Sequence, residues 1–77
     1  MAWITSIETS AGTGKVQPTQ VVARVKIFSD QNGIPIVQID THGSADREKP
    51  GKQSQTLQLG RQAAQQLYRV LNDTYRF

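Results

Sequence analysis

The sequence predicts an α+β fold: a four-stranded, antiparallel, curved sheet followed by one C-terminal helix, assembled as a homodimer. Three observations predict it. Apolar and polar residues alternate over four short stretches between Ala2 and Leu59, the period of a half-buried strand. From Gly60 onward the period changes to three and four residues, the stripe of an amphipathic helix. Finally, 77 residues make a single domain, 1–77, and a domain this small buries only about 60% of its unfolded surface. A second copy is then the obvious source of extra stability. Consecutive strands joined by a hairpin and modest loops favour antiparallel pairing, with the helix packed over one face.

Residues 2–9 alternate Trp3-Thr5-Ile7 against Ile4-Ser6-Glu8 and read as a first short strand. Ser10–Gln20 carries two glycines, a proline and small polar residues, the composition of a loop. Val21–Phe28 is the clearest strand, with Val21, Ala23, Val25 and Ile27 in one apolar row. Asn32-Gly33 is a hairpin signal, since both residues tolerate the positive φ of a type I′ turn. Ile36–His42 returns, placing Val37, Ile39 and Thr41 on one side and Gln38, Asp40 and His42 on the other. Gly43–Gly51 is a charged connector closed by the turn dipeptide Pro50-Gly51. Ser54–Leu59 separates Leu57 and Leu59 from Thr56 and Gln58. The helical stripe is Ala63, Ala64, Leu67, Val70, Leu71 and Thr74, with its end expected at Asn72-Asp73. Of this helix, Ala64, Leu67, Leu71 and Tyr75 are expected to cover the sheet, leaving Tyr68, Val70 and Phe77 for a second copy.

Composition narrows the chemistry. There is no cysteine, hence no disulfide framework or thiolate metal site. With His42 as the single histidine, a histidine-rich zinc site is excluded too, and no metal or cofactor is expected. No apolar run approaches the roughly 18 residues of a membrane span, and the first twenty residues lack the pattern of a signal peptide. A cytoplasmic chain without membrane contact is the expectation. Nine Lys/Arg against six Asp/Glu give a net charge of +3. That bias is informative only where the cations share a face.

Two motifs suggest catalysis and fail. Ala11-Gly12-Thr13-Gly14-Lys15 resembles the end of a phosphate-binding loop, but Thr9 and Val16 stand where that pattern needs Gly and Ser/Thr. Asp40 and His42 share a strand face, yet no nucleophile accompanies them. No enzyme activity is expected. The basic residues are better ordered. Arg24, Lys26 and Phe28 occupy the face opposite the apolar row, where cations neutralise phosphates and a ring stacks on an unpaired base. Arg47, Lys49 and Lys52 surround Pro50-Gly51, with Gln53 and Gln55 just after, a loop able to present side chains and N–H groups to a phosphodiester chain. Each cluster also has a plain reading, a solvated outer face and a charged connector.

The segments Val21–Phe28, Ile36–Thr41, Lys49-Pro50-Gly51-Lys52 and Leu57–Leu71 together resemble the positive-cofactor-four transcriptional coactivator family, over roughly two-thirds of the chain. The resemblance implies a homodimeric single-stranded-DNA-binding fold in which bent sheets form channels and the helices aid the dimer contact. Carried over by position, the DNA contacts fall on Arg24, Lys26, Phe28, Lys49 and Lys52. One departure is Thr41-His42-Gly43, where the family carries an aromatic cluster; Trp3 or Tyr68 would have to compensate.

The expected function is therefore sequence-tolerant binding of single-stranded DNA, or RNA, in transcription, replication or recombination. Cations neutralise phosphates, Phe28 and His42 stack, and glutamines with Ser54 or Thr56 hydrogen-bond. Two alternatives stand beside it. One is a small protein-interaction module, such as a phage-type inhibitor or adaptor, using the same sheet for a protein partner. The other is a duplex binder laying the sheet in the major groove.

Overall fold

β-Branched residues at alternate positions hold the backbone extended, and the two stretches richest in them, Val21–Phe28 and Ile36–His42, both form strands. The computed structural model describes residues 1–42 and 53–77, with the side chains of Gln53 and Ser54 outside the described set. The strands are β1 (Ala2–Ile4), β2 (Ala23–Ser29), β3 (Pro35–His42) and β4 (Gln53–Leu59), after which comes helix α1 (Arg61–Tyr75). The α+β class and the four-strands-then-helix order agree with the expectation.

The sheet order is β1-β4-β3-β2. β2, β3 and β4 form an antiparallel meander, but β1 pairs parallel with β4, so the sheet is mixed and the fully antiparallel expectation is corrected. The physical reason is the connector. Residues 5–22 form no regular element, and a linker that long does not constrain β1 to lie beside β2 as a hairpin would. Pairing is then decided by fit at the other edge. The ring of Trp3 lies against Gly60, where an added Cβ would stand 3.3 Å from it, and the Gly60 N–H donates to the Ile4 carbonyl at 3.2 Å. The first strand is accordingly three residues long rather than eight.

The hairpin between β2 and β3 forms at the expected place by a different turn. The Gly33 N–H donates to the Asp30 carbonyl at 2.9 Å, and the Asp30 N–H donates to the Ile34 carbonyl at 2.9 Å. Gly33 has φ +79° while Asn32 does not enter the positive-φ region, so this is not a type I′ turn. The Asp30 carboxylate decides the difference, accepting the N–H groups of Asn32 at 2.8 Å and Ile34 at 3.0 Å. An Asx-type turn is thereby preferred, and only one left-handed residue is needed.

The helix departs most from expectation. A single residue, Gly60, separates β4 from α1, so the helix leaves directly from the end of the sheet and meets it chiefly along β4. Among its residues only Ala63 is buried. The Ile7 N–H donates to Gln66 Oε1 at 2.7 Å and ties the first connector to the helix. Of the four residues expected to cover the sheet, Ala64 and Leu67 are half-buried, whereas Leu71 and Tyr75 are exposed, as is Tyr68. The helix also runs beyond Asn72-Asp73 to Tyr75, closed by Arg76 in the left-handed region and by its N–H donating to the Asn72 carbonyl at 2.8 Å. Favourable helix formers carry it past two residues that merely tolerate an end.

Burial is consequently sparse. Ile36, Leu59 and Ala63 are the buried apolar residues among those described. On the apolar sheet face, Val25 is 62% and Ile27 73% exposed, and Leu57 is exposed beside them.

Candidate nucleic-acid interface

The register places side chains in rows across the sheet. Lys26 stands opposite Gln38, Gln38 opposite Gln58, and Gln58 opposite Trp3. Side chains alternate faces along a strand, so these four share one face. Beside them Arg24 faces Asp40, which faces Thr56, and on the other side Phe28 faces Ile36. The opposite face carries Val25, Ile39, Leu57 and Ala2 in one row and Ile27, Val37, Leu59 and Ile4 in the next. One face of this sheet is cationic and amide-rich, and the other is apolar.

A hydrogen-bonded network forms the floor of the polar face. Thr56 Oγ1 donates to Asp40 Oδ1 at 2.9 Å. Gln38 Nε2 donates to both Asp40 oxygens, at 3.0 and 3.1 Å, and Gln58 Nε2 donates to Gln38 Oε1 at 2.9 Å. Asp40 is 7% and Thr56 5% exposed, and among the described residues no buried polar side-chain atom lacks a partner. The Thr56 hydroxyl is the main reason the Asp40 carboxyl is held below its ordinary range. Gln38 and the charges of Lys26 and His42 act in the same direction, and burial opposes them. A buried carboxylate with several donors stays ionised at neutral pH.

The rims of this floor stand in solvent. Arg24 and Lys26 are exposed along β2, Phe28 is at the margin of exposure, and Trp3 on β1 is 51% exposed. Gln38 and Gln58 between them are half-buried. The face is thus cationic at one rim, aromatic at both and amide-lined in the middle. Such a surface can neutralise phosphates, stack flat rings and hydrogen-bond their edges.

Of the residues anticipated from sequence, Arg24, Lys26 and Phe28 are brought together on this face. Gln55 is not: it pairs with Thr41, which pairs with Ala23, and so belongs to the apolar side. The register slips by one residue between Thr41 and His42, a bulge that re-aims the chain beyond it. Arg47, Lys49, Lys52 and the side chain of Gln53 lie outside the described residues. Gln38 and Gln58 were not among the anticipated contacts, and Trp3 was expected there only as a substitute ring. The alternation assigned Gln38 and Gln58 to faces of their own strands, but only the register joins them to Lys26 and Trp3. Among the described residues no cluster of three or more His, Cys, Asp or Glu could hold a metal ion, and no helix is long and apolar enough to cross a membrane.

The chain matches no protein-family model, no curated protein and no solved structure.

Proposed function

We propose that the protein is a non-enzymatic, sequence-tolerant single-stranded nucleic-acid binder acting as a homodimer. The observation that carries this reading is the polar sheet face, with Arg24, Lys26 and Phe28 in alternation on one strand beside a hydrogen-bonded amide floor. Charge binds the backbone of any sequence, and a ring stacks on any unpaired base. DNA is the expected ligand, with RNA meeting the same chemistry.

The apolar face supports the dimer. Val25, Ile27 and Leu57 with the open helix residues Leu71 and Tyr75 form the surface a second copy would cover. A standard interface takes about 800 Å² from each partner.

Titration of labelled single strand and of the corresponding duplex tests the function. Tighter binding of the single strand is expected, with little dependence on sequence and a log–log salt slope near −0.7 per phosphate contact. Lys26→Ala should flatten that slope by about one contact. Phe28→Ala should narrow the gap between single strand and duplex, since stacking is worth about 1–3 kcal/mol per base. Equal affinity for both forms refutes the stacking role. Binding to neither would hand the sheet to the protein-partner alternative.

A further inference from the structure

We propose that the cleft between Trp3 and Gln58, at the β1 edge of the sheet, is a subsite for one unpaired nucleobase, stacked on the indole and hydrogen-bonded to Gln58 Oε1. This rests on the single-strand reading and adds to it a defined base position. The cleft is lined by Met1, Ala2, Trp3, Thr56 and Gln58 and encloses about 180 Å³. That is below the roughly 300–1,000 Å³ of pockets for drug-sized ligands, and it suits a single flat ring.

The orientation of the amides is set by Asp40. An ionised carboxylate only accepts hydrogen bonds, so Gln38 must turn its Nε2 towards it, as it does at 3.0 and 3.1 Å. Gln38 Oε1 is then the atom left to receive Gln58 Nε2, at 2.9 Å. That in turn leaves Gln58 Oε1 at the end of the relay, with no hydrogen bond to it among the described residues. A fixed acceptor therefore stands at the cleft. Every nucleobase carries an N–H group on its pairing edge, so an acceptor here can receive any of them once that edge is free of a partner base.

The platform is held as firmly as the acceptor. The indole lies over Gly60, where a Cβ would stand 3.3 Å from one ring carbon and 3.4 Å from another. Glycine at this junction lets the ring lie against the backbone, while half of the residue stays exposed. Lys26 closes the same row three strand spacings away, about 14 Å. A strand whose base enters the cleft can therefore lay a neighbouring phosphate on that cation.

Trp3 is the sole tryptophan, so its emission reports this subsite alone. The wild-type protein is titrated with a short oligothymidylate and with an abasic phosphodiester chain of equal length. Trp3 emission is recorded together with the anisotropy of a labelled strand. Oligothymidylate is expected to quench the emission saturably, with the same midpoint as the anisotropy, whereas the abasic chain binds more weakly and leaves emission unchanged. Trp3→Ala should weaken oligothymidylate binding roughly 5- to 140-fold, and Gln58→Leu roughly 2- to 10-fold. Neither should alter affinity for the abasic chain, and circular dichroism checks that both variants fold. Binding by anisotropy with unmoved Trp3 emission would overturn the subsite and leave the single-strand reading intact. Absence of binding to both chains would overturn the two together.

Discussion

Asp40 sits at the centre of the polar face and makes that face sensitive to acid. Its folded-state pKa is depressed, first by the Thr56 hydroxyl and then by Gln38, Lys26 and His42. A depressed carboxylate contributes stability that is fully present above its unfolded pKa, about 4. That contribution is lost as pH falls through the lower folded value. Thermal melts between pH 7 and pH 2 should therefore show a loss below about pH 4 that Thr56→Val reduces, because the variant removes the largest cause of the shift. Asp40→Asn should abolish this component and lower stability at neutral pH. Its amide would turn donors towards Gln38 Nε2, which is itself a donor. Equal acid sensitivity in wild type and Asp40→Asn would remove Asp40 from the explanation. The same substitution breaks the relay that orients Gln58, so the residue acts on fold and surface together.

At the scale of elements, the β2–β3 hairpin is the unit that local chemistry specifies best. Asp30 Oδ1 accepts two backbone N–H groups and Gly33 supplies the turn's single positive φ. Gly33→Ala should cost about 1 kcal/mol or more, since a Cβ is disfavoured at φ +79°. Open space around the site excludes a clash with other residues, and chemical denaturation measures the difference directly. The helix is the opposite case. Its apolar spacing was plain in the sequence, but the partner of that stripe was not. A one-residue junction at Gly60 gives α1 a fixed departure from β4, and within one chain the stripe is buried at Ala63, half-buried at Ala64, Leu67 and Val70, and exposed at Leu71 and Thr74.

For the whole molecule, the open apolar face decides what the protein does in solution. Ile27 is 73% exposed in a lone chain, so Ile27→Asp should then cost no more than about 1 kcal/mol of strand propensity. If two copies meet there, the same substitution buries an unpaired charge and abolishes association. Sedimentation at micromolar concentration is expected to give a species of twice 8.5 kDa for the wild type, lost in Ile27→Asp. A wild-type mass of 8.5 kDa, or a variant with unchanged mass and melting temperature, would refute the dimer. Dimerisation through this face would leave the polar faces of both copies available to nucleic acid.

By itself the sequence determined the class of the fold, the order of its elements and the placement of Arg24, Lys26 and Phe28 on one face. These depend on period and on residues within a few positions of each other, where backbone geometry leaves little choice. Tertiary structure alone decided the rest. Pairing of β1 with β4 joined residues more than fifty positions apart, and no local period encodes which strand edge a long connector will reach. That pairing brought Trp3 to Gln58. The register then linked Gln58 through Gln38 to Asp40 and turned separate polar side chains into one oriented network. Alternation with Leu57 and Leu59 already puts Gln55 on their face, and the register agrees. The reason is common to both of the other cases: alternation tells which residues of a strand share a face, whereas the neighbours across the sheet are chosen by pairing, and pairing is a property of the folded chain.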